Sequence, residues 1–202
     1  YVVGLLVSSP LANRINNPRL FLMTGNILVA AGILTMSLAV NYLMLLAAVF
    51  LAGIGAGVIE LLTSPVVAAS AAHKSRALNR LHGYYSVGSV SVIVLCSLAI
   101  WADWNWRIIC ASAVMIPMLC FAGLASTSVC PLVSNEKRIR VRHLIRTRYF
   151  IYALIALALC GSAELGIVTW LAAYAEKGLG YSAWVGSAAL AVFYVGMTAG
   201  RF

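Results

Sequence analysis

Of 202 residues, 63% are hydrophobic and only 9% are charged, whereas soluble domains carry about 25% charged residues and 45–50% apolar ones, which excludes a water-soluble globular domain. The formal net charge is +9, from 14 Lys and Arg against 5 Asp and Glu, and in so apolar a chain those charges are placed against a membrane before nucleic acid is considered. At roughly 20 residues per apolar helix plus short loops, the length suits about six or seven spans and leaves no room for a separate catalytic domain.

Apolar runs between charged or turn-rich breaks predict spans at 1–12, 20–40, 43–69, 83–102, 106–126, 149–174 and 182–202, an all-α, polytopic membrane helix bundle. The first run, at 1.5 Å per residue, covers about 18 Å of a core about 30 Å thick and reads as the tail of a longer helix. Tyr1 is not a methionine and no charged segment precedes the first run, so no signal peptide is expected and the chain reads as a piece of something longer. The first connection carries Asn13, Arg14 and Arg19.

In the third span Gly53 and Gly57 stand four apart on one face, where glycine lets a neighbouring backbone approach closely. Glu60 follows, and Pro65, five residues on, removes a backbone donor and can bend the helix. The fourth span opens with His82, Tyr85, Ser86 and Ser89, a polar stripe at helical spacing. Residues 127–148 form the longest hydrophilic stretch, contain KRIRVRHLIRTR, and are expected to be a basic cytoplasmic linker. They divide a part of one bundle, 1–126, from the first two helices of another, 149–202. Glu164 lies in the sixth span, followed by Trp170 and Tyr174.

The basic residues alternate sides. Arg14, Arg19, Lys74, Arg76, Arg80, the six of the linker and Arg201 make 12 on one side, against Arg107 and Lys177 on the other, which assigns the first side to the cytoplasm. Trp101, Trp104, Trp106, Trp170 and Trp184 then fall near the outer ends, where amphipathic rings are favoured. Cys96, Cys110, Cys120, Cys130 and Cys160 lie in or beside apolar runs with no paired spacing and read as small buried hydrophobes. No nucleotide loop, metal-ligand cluster or nucleophile constellation is present, so neither an enzyme nor a cofactor is expected. The basic residues form no aromatic-interleaved platform for nucleic acid.

The two ends of the chain are alike. Tyr1-Val-Val-Gly4-Leu-Leu-Val-Ser8 matches Phe193-Tyr-Val-Gly196-Met-Thr-Ala-Gly200, an offset that suits six spans of about 32 residues each, as in a transporter built from two six-helix halves. With that repeat, the chain resembles the major facilitator superfamily. Ser9-Pro-Leu11-Ala12-Asn13-Arg14-Ile-Asn-Asn-Pro-Arg19 stands where the family has Gly-x-Leu-Ala-Asp-Arg-x-Gly-Arg-Arg, with Asn13 replacing the acidic residue. Asn13, Arg14 and Arg19 would accordingly form its gating loop.

Gly53-Ile-Gly55-Ala-Gly57-Val-Ile-Glu60, Ser64-Pro65 and Leu78-Asn79-Arg80-Leu-His82-Gly-Tyr-Tyr85-Ser86-Val-Gly88 look like the fucose-permease branch, and Gly161-Ser-Ala-Glu164 resembles its seventh helix. The resemblance implies a partial facilitator fold, about helices 2–8 of 12, with the remaining helices supplied by a parent transporter. It also implies a secondary transporter of a small, sugar-like solute coupled to protons, with Glu60, His82, Tyr85 and Glu164 as the solute or proton site. His82 and Tyr85 stand where the permease has amides that contact sugar, so fucose itself is not implied. A drug or metabolite exporter of the same superfamily, or a non-transporting fragment, are the alternatives. A bacterial inner membrane is the expected home.

Cysteines introduced singly at positions 75 and 135 are expected to react with a membrane-impermeant maleimide only from the cytoplasmic side, and one at 103 only from outside. Labelling at 135 in intact cells would reverse the orientation.

Overall fold

A computed structural model describes residues 17–127 and 146–201; the 1–12 element, with Asn13 and Arg14, and most of the 127–148 linker lie outside them. Among the described residues all regular structure is helical: α1 (Pro18–Ser37), α2 (Tyr42–Ser70), α3 (Lys74–Trp101), α4 (Trp106–Ala113), α5 (Met115–Ser126), α6 (Arg148–Ala173) and α7 (Ala183–Arg201). Among the described residues six stretches are long and apolar enough to cross a membrane, with α4–α5 as one and α6 extended to Gly178 as another. The chain is a multi-pass, all-α membrane protein.

Local chemistry sets the ends. Pro18 opens α1, where its missing N–H costs nothing. Asn41 caps α2 by accepting from the Met44 N–H at 2.8 Å, and Asn105 caps α4 by accepting from the Arg107 N–H at 2.9 Å. Asp103, at φ 54°, makes the tight turn between α3 and α4, a conformation that aspartate tolerates better than most residues. The stretch 106–126 is one span, as expected, but its helix is interrupted at Val114. The cause is Pro117, which has no N–H to give the Ala113 carbonyl. Pro65, by contrast, is absorbed within α2, which continues to Ser70.

Two expectations are corrected. The fourth span begins at Lys74, not at residue 83, because Lys74, Arg76 and Arg80 interrupt hydropathy without interrupting a helix; they are good helix formers whose side chains are exposed. Cys120 and Cys160 are exposed, and Cys96 and Cys110 half-buried, so these thiols are not core residues.

The tightest packing joins α1 to α2. A Cβ on Gly32 would lie 2.5 Å from the backbone nitrogen of Ala52, and one on Gly55 would lie 2.6 Å from the Gly25 carbonyl oxygen. Backbone therefore meets backbone, with Ala48, Val58 and Leu62 buried along the same seam. Such close approach maximises dispersion contacts where apolar burial from water gives no drive. α1 also packs on α4 and α5.

The described residues fall into two compact units, 17–85 with 99–127 and 200–201, and 86–98 with 146–199; α3 runs through both. In the second unit α6 ends in a π-helical turn, Tyr174–Gly178, and Gly180 at φ 72° leads toward α7. Gly186 of α7 sits against Ala172, whose carbonyl oxygen would be 2.9 Å from an added Cβ.

Alanine favours a helix over glycine by about 1 kcal/mol, but overpacking costs about 1–3 kcal/mol. Gly32→Ala is therefore expected to lower the thermal unfolding midpoint in micelles, while Gly88→Ala, with open space around it, leaves it unchanged or slightly raised.

Candidate functional site

Glu60 lies on α2 ten residues before Ser70, about 15 Å from that end at 1.5 Å per residue. Its side chain is exposed. At 100° per residue, Gly53, Gly57 and Ser64 share its face, while Gly55, Val58 and Leu62 take the opposite one against α1. Gly57 is buried and Gly53 half-buried on the Glu60 face. The glycine that admits α1 is Gly55, which sequence spacing passed over.

His82 lies eight residues after Lys74, about 12 Å from the start of α3. Only residues 71–73 separate α2 from α3, so the carboxylate and the imidazole occupy similar depths in the same unit. Tyr85, one turn further on, is exposed. Ser86 follows and is fully buried, and its hydroxyl donates to the Met197 Sδ of α7 at 3.7 Å. Ser97, on the same side of α3, donates to the Ile93 carbonyl at 2.8 Å. Near Met197, Tyr194 is buried, edge-on to Phe193 at 5.5 Å. Glu164 is half-buried near the middle of the Arg148–Gly178 span. It belongs to the second unit, whereas Glu60, His82 and Tyr85 belong to the first.

Arg19, expected in a gating loop, is in the first turn of α1. Its guanidinium donates to the Ala125 carbonyl near the end of α5. Sequence reasoning missed the counterpart. Arg107, in the first turn of α4, donates to the Ser37 carbonyl at 2.9 Å and the Ala39 carbonyl at 2.7 Å, at and just past the C-terminal residue of α1, with Trp106 4.7 Å beneath its guanidinium. A cation at a helix C-terminus satisfies orphan carbonyls and complements the helix dipole.

The family model for the Major Facilitator Superfamily matches residues 1–202. The chain belongs to the major facilitator superfamily. Facilitators are secondary transporters, so a solute and the lipid bilayer are the partners of this one. No curated protein and no solved structure matches this facilitator chain.

Charge-assisted hydrogen bonds contribute roughly 1.5–3 kcal/mol each. Arg107→Gln is therefore expected to lower the heat stability of this facilitator chain in micelles by several kcal/mol. Arg107→Lys is expected to recover part of it, because an ammonium keeps the charge but lacks the planar fork that reaches two carbonyls.

Proposed function

We propose that the chain is part of a proton-coupled transporter of a small polar, sugar-like solute. It works by alternating access, with the remaining helices of a longer parent completing the walls. The observation that carries this reading is the placement of Glu60: a carboxylate within a span, on the face of α2 turned away from the α1 seam. An ionised group at such depth is tolerated where it meets a cavity or a partner. His82 at similar depth on the next helix, with Tyr85 one turn away, supplies donors and acceptors suited to hydroxyl-rich solutes.

Glu60 serves as the proton-linked carboxylate and, with His82 and Tyr85, as a contact for solute; Glu164 is a second carboxylate within a span, with a lesser part in binding solute or protons. Asn13, Arg14 and Arg19 are assigned to the control of cytoplasmic opening, Arg19 from the first turn of α1 by holding the end of α5. The resemblance to the fucose-permease branch supports a sugar-like substrate. A bacterial inner membrane, with its standing proton gradient, suits the mechanism.

In the transporter that contains these helices, Glu60→Gln is expected to abolish uphill accumulation in proteoliposomes while leaving counterflow exchange largely intact. The amide keeps shape and hydrogen bonding but cannot titrate. Glu164→Gln is expected to impair accumulation less. Normal accumulation by Glu60→Gln would refute the assignment and leave Glu60 as a structural group.

A further inference from the structure

We propose that α7 is a lever, pivoting on α6 at Gly186 and latched to α3 by the bond between Ser86 and Met197, so that its C-terminal end swings while its N-terminal end stays fixed. Ala172, Gly186, Ser86 and Met197 all belong to the second unit. One face of α7 makes both contacts. At 3.6 residues per turn Gly186, Leu190, Phe193 and Met197 fall within an arc of about 60°, and none of them is exposed. Val192, Val195 and Ala199, on the far side, all are.

The two contacts differ in kind. At the pivot backbone meets backbone: a Cβ on Gly186 would lie 2.9 Å from the Ala172 carbonyl oxygen and 3.0 Å from the Ala172 Cα. The connection from α6 is itself hydrogen-bonded, the Leu179 N–H donating to the Tyr174 carbonyl at 3.1 Å and the Tyr181 N–H to the Ala175 carbonyl at 3.0 Å. This end of α7 is therefore tied to the end of α6 by main chain. About 16 Å further along the axis, the Ser86 hydroxyl meets the Met197 Sδ at 3.7 Å, and a thioether is a weak acceptor. Among the described residues no extended seam like that of α1 and α2 joins α7 to α3 or α6. A tilt of about 20° at Gly186 carries Met197 about 6 Å, which breaks the weak bond and leaves the tight contact in place. The swinging end is the cytoplasmic one by the charge asymmetry. The lever does not rest on the solute or the coupling ion proposed above, and its test involves neither.

The test uses the 202-residue chain in lipid vesicles, its native cysteines replaced by alanine and nitroxide pairs placed at exposed positions. One pair, at Val87 and Ala199, spans the latch; the other, at Thr169 and Ala183, spans the pivot. Pulsed electron double resonance is expected to give two distances about 6 Å apart across the latch and one across the pivot. Ser86→Ala removes the donor and Met197→Leu the acceptor, each with little change in volume. Either is expected to raise the ratio of long to short latch distance roughly threefold, and the two together no more than one alone, since the same bond is lost. A single latch distance that neither substitution moves, equal spreads at the two pairs, or additive effects of the two substitutions would each overturn the lever.

Discussion

A helix end within or near a bilayer leaves carbonyls that neither lipid nor the next turn can satisfy, and in the first unit two arginines meet that demand crosswise. Arg19, at the start of α1, reaches the end of α5, and Arg107, at the start of α4, reaches the end of α1. α1 and the α4–α5 pair run in opposite directions, so each supplies the cation and the other the carbonyls, once at each end. With both ends tied, sliding of one against the other would break charge-assisted bonds in a medium that offers no substitute donors. The break at Val114 then matters less than it would in a lone helix, because the stretch from Trp106 to Ser126 is held at its two termini.

The apolar spans were legible in the sequence because the bilayer imposes a length and a composition that few other environments do. What hydropathy could not read was helix that leaves the apolar zone, as at Lys74–Arg80, or a fracture inside it, as at Pro117, whose effect depends on a carbonyl four residues away. Gly53 and Gly57 were singled out by spacing, yet spacing does not say which face meets which neighbour, and the approach of α1 over Gly55 had no sign of its own. Arg107 was legible only as a charge on the sparse side. Its partners are backbone carbonyls, which every residue carries and no pattern marks. Glu60 and His82 could be placed at similar depth from the lengths of α2 and α3, while the partnership of Ser86 with Met197 joins helices far apart in sequence and had no local sign.

α3 connects these levels. Its buried Ser86 donates to Met197 of α7, and its His82 sits at the depth of Glu60. Small hydroxyl side chains suit a contact that must be polar enough to orient and small enough to pack closely. One helix thus carries a packing contact and a polar stretch in a single register.

The α1–α2 seam is built from residues close in the chain, whereas Arg107 is separated by 70 and 68 residues from the carbonyls it binds, and Arg19 by 106 from its own. During N-to-C synthesis, the glycine seam is complete as polypeptide well before α4 has been made. The hairpin must therefore enter the bilayer with the carbonyls at the end of α1 still awaiting their cation, satisfied by water or headgroups at the interface. Arrival of Arg107, and then of Ala125 opposite Arg19, closes the bundle around a hairpin that the ribosome has already delivered.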